Sequence, residues 1–345
     1  MRRLASHLVV VIGAILVSSA LAQTRDPVEA MKSFADFQSV NLDRLLSGEI
    51  LVERGGLMDF PSGICGQTCF AVPLSAEETA KRLQVWDPTP HADLQVYAFH
   101  ELPVPCGPAD FQKLDFRSSS YSIRWLLEKS AATTGSKSDL NVSRDEAAAL
   151  AACLQRRTDP PLATRCWAAL LGNRAARFQQ DGVDGALPYE VGPGGHISPI
   201  HLLSNMISEQ TPIAHEFFPL LKKIGLIGRP APPLLTPFYY WSFFDADHHG
   251  TISLGAVYLL AQDGRYLVAD VEYYVSDQYF TSATLCEIWP IQAGGKPAAL
   301  VWRGDYFSAP VLAFTKGTER IAYGALMMQD IKRETHDFQT DQGMK

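Results

Sequence analysis

The stretch from residue 236 to residue 338 constrains the fold of this chain most, because it holds the longest run of strand-like sequence. Five segments joined by short polar or glycine-bearing turns predict antiparallel strands, at residues 237–244, 251–261, 265–278, 281–291 and 298–307. In the third segment apolar and polar side chains alternate, which is the period of two expected of a strand with one buried face. Gln262-Asp263-Gly264 predicts a hairpin turn, because glycine adopts the positive φ that the reversal requires.

The same alternation assigns side chains to the two faces of the sheet. The third segment carries Leu267, Ala269, Val271, Tyr273 and Val275 on its inner face, and Asp270, Glu272, Tyr274 and Ser276 on its outer face. In the last segment Arg303 and Asp305 are charged, so Trp302 takes the inner face. A helix over residues 316–337 is predicted to lie on the sheet, because apolar residues recur in it at helical spacing, at Ile321, Ala325, Met328 and Ile331.

Composition limits the classes of function. The chain has 345 residues, of which 47% are hydrophobic, enough for a substantial core in one large domain or two smaller ones. Its formal net charge is -7 and its basic runs are short. These features argue against a nucleic acid or an anionic membrane as partner, since both attract clustered positive charge.

The N-terminus has the pattern of a secretory signal peptide. Two arginines follow Met1, residues 8–17 are apolar, and Ala20-Leu21-Ala22 has the small residues of a cleavage site. We therefore predict that residues 1–22 are removed and that the mature chain, residues 23–345, is periplasmic or extracellular. The alternative is a retained anchor, because a signal peptide differs from a membrane span mainly in length and flanks. No later apolar run is long enough to span a membrane.

All six cysteines fall in the predicted mature chain, where an exported protein can form disulfides. Cys153 and Cys166 make the best pair, because they lie nearly symmetrically about Asp159-Pro160-Pro161, a turn at which two helices can fold back. The pairing of the other four stays open, although the first two could bridge locally: Cys65, Cys69, Cys106 and Cys286. A four-cysteine zinc site is disfavoured, because no CxxC pair is present.

Strand-like sequence lies at both ends of the mature chain, with a helical block between. The first part predicts strands at residues 48–54, 68–74 and 94–102, a loop at 55–67, and a capped helix from Ser75 to about Trp86. Residues 109–228 are largely helical, with an alanine-rich stretch that favours helix strongly. We predict a single α+β domain, with an antiparallel sheet, a long C-terminal helix packed on it, and a central helical insertion or lobe.

This order of elements resembles the START-type helix-grip superfamily over about residues 68–102 and 236–338. Members of that superfamily wrap a curved antiparallel sheet around the last helix and commonly hold a hydrophobic ligand between the two. The resemblance therefore implies a ligand site between sheet and helix, whereas the helical block has no counterpart in the compact form of that fold. The chain as a whole also resembles exported bacterial proteins.

The segment Asp245-Ala246-Asp247-His248-His249-Gly250 resembles the start of an EF-hand calcium loop. Two positions depart from that loop: His249 replaces an oxygen ligand, and Ala256 stands where a glutamate should complete the shell. The flanking sequences are aromatic and apolar, so a polar hairpin turn is favoured over a calcium site. A zinc or copper site at His248 and His249 is also disfavoured, because adjacent strand residues point to opposite sides.

The sequence carries none of the familiar catalytic motifs. A GxSxG elbow is lacking, His201 and His215 are too far apart for a helical HExxH zinc site, and the glycine-rich loop at His196 lacks the lysine of a phosphate loop. No cofactor, metal or catalytic residue is therefore predicted. A serine or cysteine nucleophile brought to a histidine by the fold is the enzymatic alternative.

Aromatic residues of the C-terminal sheet are the candidate ligand-binding residues: Tyr239, Trp241, Tyr258, Tyr273, Trp302 and Tyr306, together with Met328 on the helix. They could line a pocket for a hydrophobic small molecule between sheet and helix, or they could fill the core. The leading hypothesis is a non-catalytic binding protein. The rivals are a hydrolase with a site assembled across the fold and an interaction protein of the cell envelope.

Overall fold

The computed structural model describes residues 26–56, 58–134, 137–191, 195–230 and 235–344. Its helices are α1 (Pro27–Met31), α2 (Leu42–Leu46), α3 (Ala76–Gln84), α4 (Tyr121–Ala132), α5 (Arg144–Leu154), α6 (Pro160–Asp181), α7 (Pro199–Glu209), α8 (Thr211–Glu216), α9 (Phe218–Ile224) and α10 (Gly317–Asp341). Its strands are β1 (Leu51–Arg54), β2 (Gly63–Val72), β3 (Val96–Glu101), β4 (Tyr189–Glu190), β5 (His196–Ile197), β6 (Phe238–Ala246), β7 (His249–Gln262), β8 (Arg265–Val275), β9 (Thr281–Ala293) and β10 (Lys296–Ser308). The predicted signal peptide and its cleavage site lie outside the described residues. Within the described part, no helix is both long and apolar enough to cross a membrane.

Eight of the strands form one antiparallel sheet in the order β1-β2-β10-β9-β8-β7-β6-β3. The five C-terminal strands pair with their neighbours in sequence, as expected of consecutive hairpins. The N-terminal strands extend this sheet at its two edges, with β2 beside β10 and β3 beside β6. The predicted α+β fold, with one sheet built from both ends of the chain, is confirmed.

Strand β2 begins earlier than the sequence indicates. The sequence predicts a loop over residues 55–67, whereas β2 starts at Gly63 and is buried along its whole length. Its first residues pair with the end of β10, where Gly63 lies opposite Ser308. The glycines that favour a loop instead permit close packing, since a Cβ atom on Gly66 would lie 3.3 Å from Cδ1 of Ile331 on α10.

One face of the sheet, which we call the block face, packs against the central helices. Phe178 of α6 stacks on Tyr273 of β8 with ring centroids 3.7 Å apart. Phe217 packs against Trp302 of β10 at 5.5 Å. The helical block and this face share the largest hydrophobic cluster of the described residues, so the predicted insertion covers the sheet.

The opposite face, which we call the α10 face, is covered by α3 and the C-terminal half of α10. Phe338 packs edge-on against Phe70 of β2, with centroids 6.3 Å apart. Gln339 Nε2 donates a hydrogen bond to the Ala71 carbonyl oxygen at 2.8 Å. A second hydrophobic cluster lies under these helices. The last helix therefore lies on the sheet as predicted, but on the face away from the helical block.

The predicted apolar stripe of α10 is only partly buried. Ile331 is buried and Met328 partly buried, whereas Ala325 is exposed and Ile321 is 56% exposed. The buried residues of α10 are Gly324, Ile331, Thr335, Phe338 and Gln339. The helix packs along β2 and β1 at one edge of the sheet, so only a narrow line of its side chains meets the sheet.

A β-bulge ends the regular alternation of β8. The register shifts between Leu254 and Gly255 of β7, so that Tyr273 has no cross-strand partner there. As a result Tyr273 and Tyr274 are both buried in the core of the block face, and Val275 packs into a separate cluster. The predictions that Tyr274 lies on the polar face and Val275 on the inner face are wrong, because a bulge reverses the side-chain alternation beyond it.

The predicted Cys153–Cys166 disulfide joins α5 to α6, with an S–S distance of 1.95 Å and Cα atoms 5.9 Å apart. The bond fits an oxidising compartment. The other four cysteines are free and buried: Cys65, Cys69, Cys106 and Cys286. The possible local bridge between the first two is wrong, because four residues of extended strand place their Cα atoms roughly 13 Å apart.

Candidate functional site

The structure separates the predicted ligand-binding residues. The six aromatic residues belong to the core of the block face and each is at most 9% exposed: Tyr239, Trp241, Tyr258, Tyr273, Trp302 and Tyr306. Met328 lies on α10, on the other side of the sheet, close to Gly66. These residues therefore do not line one pocket between the sheet and the last helix.

Two cavities can be compared with the predicted pocket. One has a volume of about 10 Å³, room for a single water molecule, and lies beside Cys65 and Arg320. The other is a surface groove of about 460 Å³ between the edge strand β3 and the turn near Asp110. Neither cavity is lined by any of the seven predicted residues.

The calcium-like segment forms the favoured hairpin turn between β6 and β7. Asp247 and His248 both have positive φ, of 50° and 66°, and Asp245 Oδ1 accepts a hydrogen bond from the His248 amide at 2.7 Å. His249 instead faces Asp277, with Nδ1 2.8 Å from Oδ2. Among the described residues, no group of three or more histidine, cysteine or carboxylate side chains is arranged to hold a metal ion.

A concentration of charge lies on the α10 face, on β8 and β10, and Arg303 of β10 joins it to Glu334 of α10. We call it the acidic cluster, and it consists of Asp270, Glu272, Arg303, Asp305 and Glu334. The strand residues share this face because two-residue spacing in β8 and β10 keeps them on one side of the sheet. Asp270 and Asp305 flank the same residue of β9, Thr284, in the pairing register.

Asp270 is held by a tyrosine from two strands away. Tyr240 OH donates to the Asp270 carboxylate, at 3.0 and 3.2 Å from its two oxygens. To reach Asp270, the Tyr240 ring lies across Gly255, where a Cβ atom would be only 2.1 Å from Cζ of the tyrosine. Burial, with the neighbouring charge of Glu272, raises the pKa of Asp270 to about 8, although Tyr240 opposes the shift. Asp270 therefore carries a proton through much of the neutral range.

Glu272 is surrounded by hydroxyl groups. Tyr279 OH and Ser282 Oγ donate to Glu272 Oε2 at 2.7 and 2.6 Å. These bonds and one from Ser253 favour the ionised form. Burial nevertheless raises the pKa of Glu272, so the hydroxyl groups only partly offset the loss of solvation.

Arg303 is the cation of the acidic cluster and joins the sheet to α10. Its Nε lies 2.9 Å from Asp305 Oδ2, and its Nη2 lies 2.9 Å from Glu334 Oε2. Thr284 Oγ1 adds a hydrogen bond to Asp305 at 2.7 Å. Burial raises the pKa of Asp305, against the attraction of Arg303. Burial also disfavours the Arg303 cation, but Asp305 and Glu334 together keep its pKa above the usual value.

The acidic cluster combines an imbalance of charge with access to solvent. Four carboxyl groups face one guanidinium, and two buried hydroxyl groups beside it, Thr68 Oγ1 and Thr335 Oγ1, have no hydrogen-bond partner within the described part. Asp270, Glu272 and Thr284 stay partly exposed although protein atoms surround them. Such a cluster can accept hydrogen bonds from a bound group, exchange protons with it and supply negative charge.

The sequence placed Asp270, Glu272, Arg303 and Asp305 on polar strand faces but did not single them out. A polar face is expected to be solvated, and nothing in the sequence says that α10 brings Glu334 over it. One feature of the sequence could have indicated the cluster: charged residues recur at two-residue spacing in both β8 and β10, the two strands that flank β9. No family model matches the chain, and the comparisons with curated proteins and with solved structures found no similar protein.

Proposed function

We propose that this protein binds a small cationic molecule, through an amine or ammonium group, at the acidic cluster between the sheet and α10. The observation that carries the proposal is the presence of four carboxyl groups beside a single guanidinium in a partly buried place. Buried charges are stable only when they are paired, so the cluster must either hold protons or take up a cation. The sequence also suggests a ligand between the sheet and the last helix, but it favours a hydrophobic molecule held by aromatic residues, none of which belongs to the acidic cluster.

The flanking groups suit such a ligand. The Tyr279 ring packs at a tilt against Phe307, with centroids 4.7 Å apart, and the Phe99 ring centroid lies 5.0 Å from that of Tyr240, so aromatic rings border the carboxyl groups at both ends. Aromatic rings attract ammonium groups through their negative faces. Binding of a cation lowers the pKa of Asp270, so it displaces the proton that this carboxyl group holds below about pH 8.

Isothermal titration calorimetry of the mature protein tests the proposal, with putrescine and tetramethylammonium as probes. We expect affinity for tetramethylammonium, which is charged at every pH, to rise between pH 6 and pH 8.5 as Asp270 loses its proton. Asp270→Asn should lower the affinity for putrescine about tenfold or more, since a hydrogen bond to a charged group contributes roughly 1.5–3 kcal/mol.

Asp330→Asn is the matched control, because Asp330 lies on the same helix as Glu334 but is 65% exposed and pairs with Arg333. This variant should bind both probes as the parent does. Equal affinities for Asp270→Asn and the parent would contradict the proposal, as would a failure of both probes to bind at pH 8.5.

We also propose that the protein is exported through the secretory route. The pattern of residues 1–22 and the Cys153–Cys166 disulfide support this proposal. N-terminal sequencing of the mature protein should begin at Gln23. An intact Met1 in a membrane fraction would contradict the predicted cleavage.

A further inference from the structure

The loop after α3 is fastened to the last two turns of α10 through Trp86. Its Nε1 donates a hydrogen bond to Asp341 Oδ2 at 2.8 Å. Its ring packs edge-on against Phe338, with centroids 5.8 Å apart. Since Phe338 is one of the residues that anchor α10 to the sheet, this junction bears directly on how α10 is held.

His91, from the same loop, stands between two carboxylates of α10. Its Nε2 lies 2.9 Å from Asp341 Oδ2 and its Nδ1 lies 3.7 Å from Asp337 Oδ2. Asp337 and Asp341 are four residues apart and so project from the same side of the helix. The side chains of His91 and Asp337 are each only 16% exposed, which limits competition from water.

The protonation state of His91 decides to how many of these carboxylates its ring can donate a hydrogen bond. A neutral imidazole has one N–H and can donate to only one carboxylate, whereas an imidazolium can donate to both. Asp337 Oδ2 is buried and has no hydrogen-bond partner among the described residues. The junction therefore places an unpaired carboxylate oxygen 3.7 Å from Nδ1 of His91, within ion-pair distance of the charged form, while Nε2 keeps its bond to Asp341.

No other charged group described near His91 supplies the positive charge that the imidazolium would supply to Asp337 and Asp341. Asp93 adds a third carboxylate, and the nearest cation, Arg333, has its Nε 3.6 Å from Asp93 Oδ2. His336 lies near Asp337 but is exposed. Arg333 is also paired with Asp330, at 2.7 Å, so its charge is shared between two carboxylates and does not offset those of Asp337 and Asp341.

We propose that His91 is a pH-dependent clasp, which holds the C-terminal half of α10 on the sheet when it is protonated and releases it when it is neutral. Loosening this half of α10 would also loosen Glu334, one turn before Asp337, from Arg303. The clasp would therefore control access to the α10 face. It operates whether or not the acidic cluster binds a cation.

The sign of the effect follows from the direction of the pKa shift. The hydrogen bond to Asp341 raises the pKa of His91, burial opposes it, and the charges of Asp341, Asp337 and Asp93 add to it. A group whose pKa is higher in the folded state stabilises that state below its ordinary pKa, 6.5 here. That stabilisation is lost as the pH rises through the folded-state pKa.

Hydrogen exchange of the full mature protein, followed by mass spectrometry from pH 5.5 to pH 8.5, tests the clasp. After correction for the intrinsic rate, protection of the amides in residues 331–341 should fall on the order of tenfold across this range, as expected for one hydrogen bond to a charged group. His91→Gln should show the low protection at every pH. His91→Lys, a permanent cation, should keep high protection up to pH 8.5.

His336→Gln is the matched control and should retain the pH dependence of the parent. Protection of the buried strand β9 serves as an internal reference for global unfolding. The proposal would be overturned if His91→Gln kept the same pH-dependent loss as the parent. A parent whose residues 331–341 exchange independently of pH would overturn it equally.

Discussion

At the scale of single residues, a buried charge is stabilised where one carboxylate both pairs with a cation and accepts a backbone hydrogen bond. Arg174 is 2% exposed and forms a bidentate pair with Glu146, at 2.6 and 2.5 Å. Its guanidinium lies 4.2 Å from the centre of the Tyr274 ring. Glu146 also accepts the Ser143 amide at 2.7 Å, so the same carboxylate completes the capping box of α5.

Replacing Glu146 with glutamine should destabilise the protein by about 3–5 kcal/mol, because it leaves the buried Arg174 charge without its counter-ion. Arg144→Gln is the matched control: it breaks the pair with Glu190, but Arg144 is 67% exposed, and exposed pairs contribute about 0–1 kcal/mol. Guanidinium denaturation of the three proteins measures both changes. Equal decreases in the free energy of unfolding in the two variants would show that the buried Arg174–Glu146 pair contributes no more to stability than an exposed pair.

At the scale of elements, the sequence predicts what depends on local pattern. All five C-terminal strands and the Gln262-Asp263-Gly264 hairpin follow from alternation and turn chemistry, and each strand lies within a few residues of its expected bounds. The bulge at Tyr273 and the early start of β2 could not be predicted in this way. Both depend on pairing with strands distant in sequence, which local propensity does not encode.

The disulfide between α5 and α6 should stabilise the helical hairpin mainly by restricting the unfolded chain. It closes a loop with a sequence separation of 13, for which the chain-entropy model gives about 3 kcal/mol. The double variant Cys153→Ser, Cys166→Ala should therefore lower the free energy of unfolding by about that amount, with the protein still folded. Urea denaturation measures the difference. Cys106→Ser, a free buried cysteine, controls for the loss of a thiol.

At the scale of the whole molecule, the fold class follows from the sequence, but the assignment of faces does not. The aromatic side chains and the last helix are predicted to meet on the same side of the sheet, and this prediction is wrong. The sheet is covered on both faces: Trp241 packs under the helical block, and Phe338 packs on the other face. Alternation along a strand shows which residues share a face of the sheet. Which helices cover that face depends on how the chain connects the strands. The acidic cluster was missed for the same reason.

The two covered faces each bury a carboxyl group with a raised pKa. Burial raises the pKa of Asp270 on the α10 face to about 8, and that of Glu287 on the block face to about 8. Glu287 is fully buried, and its partner Arg265 also pairs with Glu216 at 2.6 Å. Each group binds its proton more tightly in the folded state, so each stabilises the fold below its ordinary pKa. That stabilisation is lost as the pH rises to about 8.

Stability of the whole molecule should therefore decrease from mildly acidic pH towards pH 9. Below about pH 4 it should fall again, because partners lower the pKa of carboxylates such as Asp115 and Asp139, and the fold loses their stabilisation on protonation. Guanidinium denaturation from pH 5 to pH 9, in the His91→Gln background to remove that histidine, measures the slope. Asp270→Asn and Glu287→Gln should each reduce the slope of the unfolding free energy against pH, and the double variant should reduce it further. A parent whose stability rises with pH would show that both carboxyl groups are ionised in the folded protein.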